Sequence, residues 1–287
     1  MKQSALILVG EGYGNIIMAT PLIQAVHELG YATHVFVRGN YGDASSLLTG
    51  WPIIENVWTS MGDVRAIEWD ALVGSAWLRN DRLIPAKRRV SPAPADMREV
   101  HESVVNLSAA VKLGWAGHPP PPHCEAGDVR TPLPEKFIAC CPGWGGRVLA
   151  DWARKAWGGW NSFVKNNNSS CVFLGSEADE GLCSPNASAQ VLGRPIREVA
   201  GILKKAECVV AVDNGLAHVA AALGARTVVL FGATSEAKNR PLGRDVTVLS
   251  ARYLPCRPCQ MTDRWNECAD WQCMERISVE QVLEAIQ

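Results

Sequence analysis

Val209-Val210-Ala211-Val212-Asp213-Asn214-Gly215-Leu216-Ala217-His218 joins an apolar, β-branched run to an alanine-rich segment through an Asp-Asn-Gly turn. The alanine-rich segment continues through Ala220, Ala221 and Ala222 to Gly224, and a second apolar run, 227–231, closes on Gly232. Strand, tight turn, helix and strand in that order predict a βαβ unit and a parallel sheet. Ligands of open parallel sheets lie at the carboxyl ends of the strands. The turn therefore offers backbone N–H groups and the positive end of a helix to an anion such as a pyrophosphate. Asp213 or Asn214 can cap that helix, and His218 on its first turn faces the same crevice. The spacing alone reads equally well as an ordinary helix cap with a packing histidine.

Outward from this unit the alternation continues. Strands are expected at 136–141, 170–174 and 208–212, with helices at 157–165, 195–204, 216–223 and 278–286. Toward the N-terminus, 5–9, 33–37, 56–59 and 71–74 read as strands, and 16–29, 44–48 and 97–113 as helices. The stretch 79–98 combines Arg82, Lys87, Arg88 and Arg89 with three prolines and is expected to be a loop or broken helix. His118-Pro119-Pro120-Pro121-Pro122-His123 can be neither helix nor central strand, because proline lacks the donor and fixes φ. These patterns predict an α/β fold of two doubly wound, Rossmann-like halves: 1–122, a linker around 115–134, and 135–287.

Composition narrows the class. The 287 residues are 47% hydrophobic and 20% charged, which suits a soluble chain of two ordinary domains. No apolar run approaches the roughly 18–20 residues that cross a bilayer, and the first ten residues read as a buried strand, not a signal peptide. A cytoplasmic location is expected, with at most peripheral membrane contact. The net charge of −1 gives no reason to expect nucleic acid as a partner.

Six of the ten cysteines are scattered among apolar residues and read as small buried thiols. The other four, Cys256, Cys259, Cys268 and Cys273, form a C-x₂-C-x₈-C-x₄-C pattern in a Cys-rich loop at 255–274. Four soft ligands so close together suit a tetrahedral zinc or iron site, structural because no position remains for substrate. Free or disulfide-bonded thiols, or packing alone, are the other readings.

The turn around Asp213 resembles glycosyltransferase family 9, the ADP-heptose–lipopolysaccharide heptosyltransferases and their relatives. That family carries Asp-Thr-Gly-x-x-His, an alanine-rich helix, and a strand closing in Leu-Phe-Gly-x-Thr. Here these stand as Asp213 to His218 and as Leu230-Phe231-Gly232-Ala233-Thr234, with Asn214 for the usual threonine. Gly12-Tyr13-Gly14-Asn15 with Thr20-Pro21-Leu22 is similar to the family's N-terminal Gly-x-Gly-Asp…Thr-Pro-Leu. Pro142-Gly143 with Lys155-Ala156-Trp157 resembles its Pro-Gly…Lys-x-Trp, and Leu174-Gly175-Ser176-Glu177 its nucleoside-contacting region.

The resemblance implies a glycosyltransferase-B architecture with the two halves facing a cleft. The N-terminal half would take a glycan, lipid or protein acceptor, and the C-terminal half a nucleotide-diphosphate sugar, ADP-heptose-like. It implies inverting transfer without a catalytic metal, in lipopolysaccharide biosynthesis or a related pathway. Donor contacts would fall to Gly143, Trp144, Lys155, Glu177, Asp213, Asn214, Gly215, Leu216, His218 and Thr234. Lys155 and the Gly215 turn would neutralise the diphosphate. On the acceptor side stand Gly12, Gly14, Arg82 and Arg88. The family's presumed general base is an aspartate, but the matching residue is Asn15, whose amide cannot take a proton. Glu11 in the same turn is the substitute candidate; otherwise the proton leaves to solvent or donor phosphate. The departure keeps open a catalytically impaired sugar-nucleotide-binding protein, and a nucleotide-sugar epimerase of the same fold is a further alternative. An NAD-dependent oxidoreductase is disfavoured, since Gly10-Glu11-Gly12-Tyr13-Gly14 lacks the third glycine of a dinucleotide fingerprint.

Overall fold

The computed structural model describes residues 2–39, 43–94, 99–144, 150–260, 262–269 and 272–287. The chain divides into two compact units, Met1–Glu125 and Ala126–Gln287.

The N-terminal unit is built on β1 (Ser4–Val9), α1 (Tyr13–Glu28), β2 (Ala32–Val37), β3 (Ile54–Trp58), α2 (Met61–Arg65), β4 (Trp69–Gly74), β5 (Ala86–Val90) and α3 (Glu102–Leu113). Its five strands are parallel, in the order β3-β2-β1-β4-β5. Strand β1 shows why the sheet is covered on both faces. Ala5, Ile7 and Val9 point into one apolar cluster with α1 and α3, while Leu6 and Leu8 point into another with Phe36, Trp69 and Leu72. Side chains alternate along a strand, so a run apolar at every position needs a core on each side.

Helix α1 contains Pro21, which cannot donate to the carbonyl of Ile17. The hydroxyl of Thr20 donates to that carbonyl instead, at 2.7 Å, and accepts from the backbone N–H of His123 at 2.9 Å. The Thr-Pro-Leu signature thus repairs its own helix and anchors the end of the proline-rich segment.

The stretch 79–98 departs from expectation, because Ala86–Val90 forms the edge strand β5. Its Lys-Arg-Arg content hid it, yet charged residues are what an exposed sheet edge tolerates. Arg88 Nη2 donates to the carbonyl of Lys112 at 2.8 Å, and Lys87 pairs with Asp70 at 2.8 Å. The helix expected at 97–113 runs from Glu102; residues 97 and 98 lie outside the described residues.

The C-terminal unit contains β6 (Ile138–Cys141), α4 (Trp160–Asn166), β7 (Cys171–Gly175), β8 (Ala189–Leu192), α5 (Ile196–Lys205), β9 (Cys208–Val212), α6 (Gly215–Ala222), β10 (Thr227–Phe231), α7 (Glu236–Asn239), β11 (Val246–Ser250), α8 (Arg264–Glu267), α9 (Gln272–Glu275) and α10 (Val279–Ala285). Its six strands are also parallel, in the order β11-β10-β9-β6-β7-β8. Trp157, Trp160 and Phe163 pack with Val210, Val212 and Leu230 in its core. The edge strands β8 and β11 were not anticipated, since short edge strands lack the continuous apolar run of central ones.

Candidate functional site

From β6 the C-terminal unit builds outward through β7 and β8, then returns to the other side of β6 with β9. This reversal of strand order opens a crevice outside the carboxyl ends of β6 and β9, the usual ligand position in open α/β sheets. Pro142-Gly143-Trp144 leaves β6 on one side, and Asp213-Asn214-Gly215 leaves β9 on the other.

Asn214 stitches the two together. Its Nδ2 donates to the carbonyls of Cys141 at 3.1 Å and Gly143 at 2.7 Å, while its Oδ1 accepts from Ala217 N–H at 3.1 Å and caps α6. A threonine hydroxyl has one proton and could not make both donor bonds. Gly143 is required by close approach: a Cβ there would lie 2.5 Å from the carboxylate of Asp179. That carboxylate is fixed by the Ser176 N–H at 2.8 Å and hydroxyl at 2.9 Å.

Beneath the turn, Lys155 Nζ lies 2.9 Å from Asp213 Oδ2 and donates to the carbonyl of Asp213 at 2.9 Å. It also sits 4.0 Å above the ring of Trp152, a cation–π contact. Both partners of the ion pair are nearly sealed from solvent, so Lys155 is a buried charge held by its partner. Burial pushes the Asp213 carboxyl up, but Lys155, the hydroxyl of Thr234 and the charge of His218 outweigh it and hold the group below its ordinary value. His218 is itself buried on α6. Gly143, Lys155, Asp213, Asn214, Gly215, His218 and Thr234 thus form one constellation.

Other expected donor residues are placed less centrally. Trp144 is half-buried at the end of the β6 turn, Leu216 is half-buried in the first turn of α6, and Glu177 is exposed on the turn after β7. Asp179 and Trp152 had not been singled out as site residues. The Ser176-x-x-Asp179 spacing, a capping box, was the available signal for Asp179.

In the N-terminal unit the Gly12 turn leads into α1 at φ 87°, a left-handed conformation that favours glycine. Gly14 lies in the first turn of the helix. Asn15 Nδ2 donates to the carbonyl of Glu11 at 2.6 Å, and the Glu11 carboxylate pairs with Arg38 at 3.3 Å while remaining 42% exposed. Arg82 is exposed between β4 and β5. Among the described residues no hydrogen bond or ion pair joins Arg82 or Arg88 to the Gly12–Asn15 turn, and Arg88 is engaged instead with the carbonyl of Lys112.

Cys256, Cys259, Cys268 and Cys273 line one cavity of about 330 Å³ with Arg154 and Arg257. The donor chemistry suits zinc or iron. However, no group of three or more His, Cys, Asp or Glu side chains among the described residues is gathered closely enough to hold an ion. The loop is strapped to the end of β10. Arg257 donates to the carbonyls of Phe231 and Gly232, and the N–H groups of Cys259 and Gln260 share the carbonyl of Ala233 at 3.1 Å.

Two Rossmann-like units, one with a buried Lys155–Asp213 pair beneath the turn that opens α6, define an α/β protein of two parallel-sheet domains. Residues 121–269, just over half of the chain, match glycosyltransferase family 9 (heptosyltransferase). The chain belongs to that family. Its fold matches ADP-heptose lipopolysaccharide heptosyltransferase II of E. coli with a TM-score of 0.74 and 14% identity, over 99% of this chain and 97% of that one. A family 9 glycosyltransferase from Veillonella parvula matches with a TM-score of 0.76 and 14% identity, over 99% and 95%. The iron-containing dodecameric glycosyltransferase TibC of enterotoxigenic E. coli matches with 0.65 and 14%, over 100% and 79%. No curated protein matches in sequence. Among the described residues no helix is long and apolar enough to cross a membrane.

Proposed function

We propose that this chain transfers a sugar, with inversion, from a nucleotide-diphosphate donor to a hydroxyl of a glycan, lipid or protein acceptor. The observation that carries this reading is the Lys155–Asp213 pair, buried beneath the Asn214-capped end of α6. A diphosphate in the crevice would meet backbone N–H groups, the positive end of the helix, and a lysine already held in place. Leaving-group charge would be stabilised by these fixed groups, with no step routed through a metal. An ADP-heptose-like donor is the favoured candidate, supported by the family match and the names of its structural relatives.

Asn15 orients rather than deprotonates: its amide is engaged with the Glu11 carbonyl and cannot accept a proton. Glu11, one turn earlier, is the proposed base, its carboxylate held by Arg38 but still open to solvent. The alternative, a sugar-nucleotide-binding chain without turnover, is favoured by the same asparagine. The proposed setting is the cytoplasm, with any membrane contact peripheral. The Cys256–Cys273 loop is proposed to hold a structural zinc or iron ion once its thiols are drawn inward from around their shared cavity.

Calorimetric titration with ADP- and UDP-sugars tests the donor reading, and absence of binding by every sugar nucleotide overturns it. Release of the nucleoside diphosphate, with and without an acceptor, separates a transferase from a binding protein.

A further inference from the structure

The head of Lys155 is fixed by the turn after β9, but the residue itself stands at the end of a short 3₁₀ segment, Ala150–Lys155. Such segments have poorer hydrogen-bond geometry than an α-helix, and a lysine gives up much rotamer freedom when it is held still. The order of this one has to come from packing. In a 3₁₀ turn the side chains at i and i+3 eclipse one another. Trp152 and Lys155 have that spacing, and Lys155 Nζ lies 4.0 Å from the centroid of the Trp152 ring.

The Cys-rich loop supports this pair from outside the segment. Trp265 on α8 meets Trp152 edge to face, with ring centroids 5.6 Å apart at 62°, within the range that aromatic pairs favour. The guanidinium of Arg154 lies 5.0 Å from the Trp265 ring centroid. Lys155, Trp152, Trp265 and Arg154 thus alternate two cations with two rings. The loop is held against this contact by its straps to β10. Arg257 also pairs with Glu236 at 3.2 Å. Gly232 shows how closely the parts approach: a Cβ there would lie 2.6 Å from Met274 on α9 and 3.3 Å from the backbone oxygen of Arg154.

We propose that Trp265 is a positioning residue for Lys155: the Cys-rich loop presses one indole against another, and the second holds the lysine ammonium beneath the turn offered to a diphosphate. The loop thereby sets the strength of the proposed donor site from outside it. If the loop merely capped the end of the sheet, any apolar side chain would serve at position 265. An edge-to-face contact and a cation over a ring both need an aromatic one. The proposal rests on the donor reading and deepens it by naming what positions its lysine.

The test reads the Lys155 side chain directly, by ¹H–¹³C NMR of the full chain labelled at lysine. The ε-methylene signal is assigned by its loss in Lys155→Met. The Trp152 ring should shield that methylene and place its protons upfield of ordinary lysines. Trp265→Leu and Trp265→Met should each move the signal back toward the ordinary position, and Trp265→Phe should leave it upfield. Two non-aromatic replacements are compared so that a folding failure in one leaves the other. Calorimetric titration of the same proteins with ADP and UDP reads the consequence. Affinity for the better diphosphate should fall about tenfold in the non-aromatic variants and recover in Trp265→Phe, while affinity for the matching nucleoside stays unchanged. An unmoved lysine signal, or a shift that Trp265→Phe shares in full, overturns the proposal. Equal weakening for diphosphate and nucleoside also overturns it, because that marks general collapse of the site. Diphosphate binding by the wild type with an unmoved lysine signal rejects Trp265 alone. A responsive lysine signal with no binding of either diphosphate rejects the donor reading and leaves the positioning of Lys155 standing.

Discussion

Lys155 approaches Asp213 twice, with Nζ 2.9 Å from Oδ2 and also 2.9 Å from the backbone carbonyl of the same residue. The lysine thereby braces the shape of the turn as well as its charge. Removing one partner leaves the other charge buried and alone, which costs roughly 3–5 kcal/mol. Lys155→Met and Asp213→Asn should each lower the unfolding midpoint strongly, while the double variant recovers much of the loss. Calorimetric unfolding checks this, and additive losses in the double variant would contradict the coupling. The double variant should still fail to bind a sugar nucleotide.

Acid should act through Asp213. Burial opposes its charge, but Lys155, Thr234 and His218 prevail, so its folded value lies below its unfolded value of about 3.9. A carboxyl lowered on folding stabilises the native state above that unfolded value, and the contribution is lost as pH falls through the folded value. Denaturant midpoints should therefore drop below about pH 4, and Asp213→Asn should flatten that limb. Parallel profiles for wild type and variant would refute the assignment.

Asn15→Asp replaces an amide donor with a carboxylate facing the Glu11 carbonyl. Losing that bond should destabilise the start of α1 by about 1 kcal/mol. With Glu11 as the base, Glu11→Gln should lower kcat by about 10²–10⁴. Steady-state assays decide, and unchanged turnover in Glu11→Gln removes it from that role.

Gly143→Ala would drive a methyl group into the Asp179 carboxylate, which Ser176 holds in place. Displacing it should cost about 1–3 kcal/mol and weaken sugar-nucleotide binding. Gly158→Ala, where a Cβ meets nothing within 4 Å, is the control.

Metal analysis of the purified chain should find about one zinc or iron ion per molecule, abolished by Cys256→Ser. Four freely titrating thiols and no metal would leave the loop held by its straps to Phe231, Gly232 and Ala233 alone.

The central strands were legible in sequence because burial on both faces demands uninterrupted apolar residues. Residues 208–212 and 227–231 match β9 and β10 residue for residue. The edge strands β5, β8 and β11 were not, because one side of an edge strand answers to solvent and its composition resembles a loop. Asn214 could be read as a helix cap, since that bond spans only three residues.

By itself, then, the sequence determined the doubly wound halves, the family resemblance, and the turn proposed to meet the donor, because local periodicity and short motifs encode them. Only the tertiary structure decided which groups share a site. Lys155 and Asp213 lie far apart in the chain, as do Asn214 and Gly143, or Trp152 and Trp265. Their meeting depends on strand order, and strand order is set by how whole layers pack. The turn around Asp213 consequently changed in character: a helix-capping, anion-facing turn became a buried, charge-balanced brace.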